Sequence, residues 1–220
     1  MPVTSAVSPG LPTLPRIPWW GRVSAVVAPA ALTGGWLWAG AITRAYDPVR
    51  STISDLAAVE APTHWLMTTA LVLTGLAHIV TAVGMRPADV AGRFLLGLGG
   101  GATLIVAWIP NTVAGRNVVG HMIAAYLAFG ALSVWPAVIA VNRRDAPLVL
   151  RRRFGQLVAI GLGLLVLITV ADIVTGGATL GLRERVLATA QAIVPLVVVG
   201  GCVLAERSVV SVLAGPAPPE

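Results

Sequence analysis

Six apolar stretches, each close to twenty residues long and separated by short polar loops, constrain this chain more than any other feature. A helix needs roughly 20 apolar residues to cross the hydrocarbon core of a bilayer. Inside that core every backbone N–H and C=O must find its partner within the protein, and a continuous apolar run does so as a helix. The spans read as about residues 23–43, 64–85, 93–109, 118–141, 155–175 and 185–205. The fold class expected is all-α: an integral membrane bundle of six transmembrane helices, with a short interfacial helix between the first and second. Composition agrees. The chain is 11% charged with a mean hydropathy of +0.86, whereas a soluble domain is about 25% charged.

Around the bundle, residues 1–22 read as a disordered lead carrying Pro2, Pro9, Pro12, Pro15 and Pro18. The transmembrane domain covers 23–206, and 207–220 read as a flexible tail. The apolar run after Arg22 is too long for a cleaved signal. Trp19 and Trp20 suit an interfacial anchor, and Trp36, Trp38, Trp65 and Trp108 an aromatic belt or helix packing. Trp135-Pro136 predicts a kink. Gly97 and Gly101 form a GxxxG pair, the spacing that lets two helix backbones approach in lipid.

The net charge of +6 comes from arginine alone, with no lysine in the chain. Those arginines sit in short loops, which points to membrane topology and not to a nucleic-acid partner. With the N-terminus inside, the inner segments hold Arg16, Arg22, Arg86, Arg93, Arg143, Arg144, Arg151, Arg152, Arg153 and Arg207. The outer loops hold only Arg44, Arg50, Arg116, Arg183 and Arg185. The bias predicts a bacterial plasma-membrane protein with both termini in the cytoplasm; a GC-rich genome would account for the missing lysine. Cys202 is the sole cysteine, so an internal disulfide and a cysteine metal cluster are excluded.

In this topology the unusual polar residues gather on the outer side. The run from Asp47 to Asp55 reads as the interfacial helix, with Asp47 at the N-cap and Pro48 at the first helical position. It offers Arg50, Ser51, Ser54 and Asp55, and Glu60 follows. His64 opens the second span. Asn111, Arg116 and Asn117 lie in the second outer loop, before His121. Asp172 sits about one turn inside the fifth span, and Arg183, Glu184 and Arg185 lead into the sixth. An ionisable group at membrane depth is costly and therefore a functional candidate.

Ser51, Ser54, Asp55, His64, His121 and Asp172 form the candidate catalytic set: serines for nucleophilic attack, with imidazole or carboxylate to activate them. No GxSxG elbow surrounds either serine. Arg50, Asn111, Arg183, Glu184 and Arg185 are the candidate ligand-binding residues. His64, His121 and Asp172 together would suit a divalent metal such as zinc. The plainer readings are surface helix chemistry for the serines, loop-capping histidines, and an ion pair from Asp172 to Arg183 or Arg185. His78 lies about 21 Å deeper than His64 along its helix, so it stands apart from the outer set.

Three segments resemble those of a known family of bacterial and archaeal membrane proteins, domain-of-unknown-function family 998. They are Ser51-Thr52-Ile53-Ser54-Asp55-Leu56, Trp108-Ile109-Pro110-Asn111 through Gly120-His121, and Gly181-Leu182-Arg183-Glu184-Arg185. The resemblance would cover about residues 23–206 and implies a multi-span helical bundle in the plasma membrane. It implies no assigned activity.

Three functions fit these residues. One is a membrane-embedded enzyme that binds or hydrolyses a lipid or small molecule at the outer face. Another is a non-catalytic assembly or partner protein. The third is a proton-coupled transporter using Asp172 and His78. Topology is tested by single cysteines in a Cys202→Ser background. Asp55→Cys and Arg116→Cys are expected to react with an impermeant maleimide in intact cells, and Arg144→Cys only after lysis. The reverse pattern would move the polar cluster to the cytoplasm.

Overall fold

The computed structural model of the protein describes residues 14–112, 118–143 and 146–214, with side chains through 208. Arg116, Asn117, Arg144 and Asp145 lie outside the described residues, as do the first prolines of the lead and the tail from 215. Every regular element among the described residues is helical, and none is a strand. The order is α1 (Trp19–Ile42), α2 (Ile53–Leu56), α3 (His64–Gly84), α4 (Val90–Trp108), α5 (Val119–Val134), α6 (Arg152–Thr175) and α7 (Leu180–Ala214). Six of these are long and apolar enough to cross a membrane, and α2 is the short element between the first two. The chain is a multi-pass membrane protein.

Local chemistry sets the ends. The helix α1 begins at Trp19, directly after Pro18, with Arg22 already inside it. Asp89 caps α4 by accepting from the Ala91 amide at 2.8 Å. The kink expected at Trp135-Pro136 is the end of α5, where the chain tightens into a 3-10 turn over Trp135–Val138. Proline has no N–H for the α-helical ladder, so the ladder stops there. Gly176, in the left-handed conformation at φ 65°, closes α6. The last helix begins at Leu180, five residues before the predicted start, which places Glu184 and Arg185 in its second turn.

Helix α3 packs between α1 and α4, α4 packs on α5, and α7 lies against α1 and α6. Two apolar clusters result. One surrounds Trp135, Leu96, Met85 and Leu150; the other surrounds Leu32, Met67 and Leu71 and includes Ile53 and Leu56 of α2. The short helix thus plugs one end of the bundle with its apolar face. At the opposite end Arg22 pairs with Glu206 at 2.8 Å and ties α1 to α7. Helix α6 is the outlier, with only Gly155, Leu162, Thr169 and Asp172 buried.

Close packing uses a different glycine pair from the GxxxG expected. A Cβ on Gly101 would meet nothing within 4 Å, and one on Gly97 would only touch Ala82. The packed face of α4 is Leu96, Gly99, Gly100 and Thr103, at helical i, i+3, i+4 and i+7 spacing. Gly100 and Gly75 of α3 abut, each carbonyl within 2.8 Å of where the other's Cβ would stand. Gly100→Ala is expected to lower the stability of the purified protein by about 2 kcal/mol, the usual cost of overpacking. Gly101→Ala should be neutral or gain up to roughly 1 kcal/mol. Thermal unfolding of both variants in one detergent checks the contrast.

Candidate functional site

The polar segment from 43 to 64 begins as a turn. The Asp47 carbonyl accepts from the Arg50 and Ser51 amides, and its Oδ1 accepts from the Val49 amide at 2.9 Å. Asp47 therefore caps a turn, and the predicted helix start at Pro48 is corrected to Ile53. Thr52 is the N-cap instead. Its Oγ1 accepts from the Asp55 amide at 3.1 Å, and Asp55 Oδ2 accepts from the Thr52 amide at 2.7 Å. This reciprocal capping box satisfies both donors at once, which a lone Asp47 cap would not. Thr52-x-x-Asp55 was the sequence signal for it. It also occupies the Asp55 carboxylate.

The ends of α3, α5 and α7 then hold the segment around α2. Arg185 on α7 is 4% exposed. Its Nη1 donates to the carbonyls of Pro48 and Ser51, each at 2.8 Å, and of Gly181 at 2.7 Å. The guanidinium carbon lies 5.4 Å from the Trp36 ring and 5.2 Å from the Tyr46 ring, a cation–π arrangement on both. The Tyr46 hydroxyl donates to the Thr52 carbonyl at 2.7 Å. A Cβ on Gly181 would overlap the Ser51 carbonyl, so glycine is required for this approach. Glu184 Oε2 accepts from the Ile53 amide at 2.8 Å. Thr63 donates to the Leu56 carbonyl, His64 Nδ1 lies 2.7 Å from the Ala57 carbonyl, and the Asn111 carbonyl accepts from the Val59 amide.

Within this frame Ser54 meets His121. The His121 Nδ1 is 2.7 Å from the Ile109 carbonyl, and its Nε2 is 3.1 Å from Ser54 Oγ. A carbonyl only accepts, so the ring proton belongs on Nδ1 and Nε2 carries the lone pair. Ser54 accordingly donates to Nε2. The serine also lines a partly open cavity of about 70 Å³. Leu32, Leu71, Val106 and Phe129 supply apolar wall. Glu184 joins Ser54 in the lining near α2, and Thr74, Thr103, His78 and Gln191 supply polar groups farther along.

Other candidates stand elsewhere. Asp172 Oδ1 accepts from Thr179 at 3.0 Å and pairs with Arg183 Nε at 3.3 Å. Of the two arginines considered for Asp172, Arg183 is the partner, because Arg185 turns to the 48–51 carbonyls. Arg183 also donates to the Ile168 carbonyl, so this pair fastens the α6–α7 turn. Arg50 forms an exposed pair with Asp47 at 3.6 Å. Ser51 contributes its carbonyl to Arg185 and Tyr46. The three-residue metal set is not assembled. The Nδ1 atoms of His64 and His121 each face a backbone carbonyl, while Asp172 is held at the α6–α7 turn. Among the described residues no three His, Cys, Asp or Glu side chains converge on a metal position. Tyr46, Thr52 and Gln191 are participants the sequence reading passed over. Gln191 carried a signal, as the one amide side chain inside the apolar run of α7.

The sequence profile described as "Protein of unknown function (DUF998)" matches residues 25–201. The chain belongs to the DUF998 family. No curated protein and no solved structure matches it. In this DUF998 protein the three segments that carried the resemblance meet at one place: Ser54 on His121, His121 on Ile109, Glu184 on Ile53, and Arg185 on Ser51.

Removing the guanidinium strands the carbonyls it serves. Hydrogen bonds from a charged donor contribute about 1.5–3 kcal/mol each, so Arg185→Ala is expected to destabilise by roughly 3 kcal/mol or more. Arg183→Ala should also destabilise, by about 1–3 kcal/mol, because it leaves the buried Asp172 carboxylate with Thr179 as its donor, but it should leave residues 44–52 as protected as before. Unfolding midpoints and proteolysis within residues 44–52 compare the two.

Proposed function

We propose that this DUF998 protein is a membrane-embedded hydrolase or acyl transferase, with Ser54 as nucleophile and His121 as general base. Its substrate would be an ester- or amide-bearing lipid or small molecule bound where α2 closes the bundle. The observation that carries the reading is the Ser54–His121–Ile109 chain of hydrogen bonds at the head of a mainly apolar cavity. A nucleophile within reach of a base, with the base oriented by a third group, is the arrangement that activates serine. The third group here is a backbone carbonyl in place of a carboxylate. The arginine distribution supports an outer-leaflet site in a bacterial plasma membrane, with both termini cytoplasmic.

The chemistry follows in two steps. Ser54 Oγ attacks the substrate carbonyl carbon while its proton passes to His121 Nε2. The imidazolium then gives that proton to the leaving alcohol or amine as the scissile bond breaks, leaving an acyl-Ser54. Water or an acceptor alcohol attacks the acyl carbon, again losing its proton to His121. The Ser54–acyl bond breaks, Ser54 recovers the proton, and acid or transferred ester departs. Glu184 would contribute by holding the α2 backbone beside the nucleophile. Asp55, His64 and Asp172 take positioning and fold-stabilising roles in this scheme.

One observation favours a second reading. The cavity extends to His78, as a proton-coupled permease would require. Such a protein would not depend on Ser54 reactivity.

An alkyl fluorophosphonate applied to the purified full-length chain separates these readings. Ser54 is expected to be labelled, and Ser54→Ala to abolish labelling at that peptide. His121→Gln should slow it by about 100-fold or more, the usual contribution of a general base. Ser51→Ala should leave it unchanged. An unreactive Ser54 in folded protein would sink the hydrolase reading and leave transport or a structural role.

A further inference from the structure

The far end of the cavity carries hydrogen-bonding capacity that the protein does not use. His78 and Gln191 are each 1% exposed and line the same cavity. Among the described residues the His78 Nδ1 and the Gln191 Oε1 have no hydrogen-bond partner. The Gln191 amide is fixed in orientation, because its Nε2 donates to the Phe129 carbonyl at 2.9 Å and to Ser133 Oγ at 2.8 Å. Flipping it would set oxygen against a carbonyl, which can only accept. Thr74 and Thr103, also in the lining, spend their hydroxyl protons on their own helices, at the Ala70 and Gly99 carbonyls. Each keeps a lone pair toward its surroundings.

This end of the cavity is therefore rich in acceptors and poor in donors. Gln191 Oε1 lacks a donor, Thr74 Oγ1 and Thr103 Oγ1 can each accept one bond more, and the only side-chain N–H not already donated beside them, among the described residues, is that of His78. A ligand group that both donates and accepts would complete the set, and a hydroxyl does both. Elsewhere the lining is predominantly apolar, which selects against a charged ligand. The distance fits a slender molecule. Leu71 and His78 are seven residues apart on α3, as are Glu184 and Gln191 on α7, and seven residues span about 10 Å of helix.

We propose that the His78–Gln191 end of the cavity binds the hydroxyl of an apolar, hydroxyl-bearing molecule, with the rest of that molecule reaching toward Ser54. In making that molecule the substrate, the proposal rests on the hydrolase reading above. The hydroxyl site itself is testable without it.

The test uses two isomers, 1-hexanol and methyl pentyl ether, which differ in whether the oxygen carries a proton. Binding to the full-length chain in deuterated detergent is followed by saturation-transfer NMR. The alcohol is expected to bind about tenfold more tightly, the effect of satisfying one buried acceptor. Gln191→Leu should bring the ratio close to one. Should that variant fail to fold, Thr103→Val, whose lost bond lies within its own helix, should reduce the ratio by about threefold. Ser54→Ala should leave it unchanged.

Equal binding of both isomers, binding of neither, or a preference that survives both Gln191→Leu and Thr103→Val would overturn the proposal. A labelled Ser54 without alcohol preference would remove the hydroxyl site alone. Alcohol preference with an unreactive Ser54 would keep the site and remove only the enzyme.

Discussion

Arg185 is drawn down into the bundle because three backbone carbonyls, from Pro48, Ser51 and Gly181, converge on one of its nitrogens. The turn from 46 to 52 needs those bonds as much as the arginine does. The turn itself stays exposed from Asp47 to Arg50, but its Pro48 and Ser51 carbonyls are directed at the buried guanidinium, and a polar group left unsatisfied in apolar surroundings is expensive. Two aromatic rings beside the guanidinium shelter the charge and strengthen its hold. Once the turn is anchored, Thr52 stands at the start of α2. Ile53 and Leu56 then enter the core, and Ser54 faces His121. Position of the nucleophile candidate thus depends on a residue that touches neither partner of the Ser54–His121 pair.

The same end of the molecule resolves a conflict between burial and polarity. A four-residue helix has no cooperative stability of its own. It persists because its apolar face belongs to the cluster around Leu32, Met67 and Leu71, while its amides and carbonyls are taken up by Glu184, Thr63 and His64. These contacts come from α3 and α7, with His121 of α5 reaching the serine side chain. Such a plug closes the bundle without filling it, and the cavity beneath α2 is the space left over.

How far the sequence could be read follows from the range of each interaction. The six spans were legible because apolar length is a local property and lipid permits few solutions to it. The gathering of Ser54, His121, Glu184 and Arg185 was legible only as a shared side of the membrane. Their pairing is set by helix rotation, which no single loop encodes. Asp47 looked like a cap because its local pattern allows one. The reciprocal bonds of Thr52 and Asp55 outcompeted it. Gly97 and Gly101 matched a packing motif, yet the rotation of α4 presents Gly99 and Gly100. Asp172 drew attention as a charge near membrane depth. Its partner, Arg183, arrives from across a short turn, and that pairing keeps it from the two histidines.

The group that orients His121 has a chemical property of its own. Ile109 is the C-cap of α4, so its carbonyl sits beside the negative end of that helix dipole. Carbonyl and dipole would orient a positive imidazole as an aspartate does in a Ser-His-Asp triad, though with less charge. A carboxylate, however, takes up a proton in acid and then loses its charge. A peptide carbonyl has no such transition in the range where proteins survive. The alignment of His121 is therefore written into the backbone, indifferent to acidity and beyond the reach of any single side-chain substitution at position 109 other than one that unwinds the helix end.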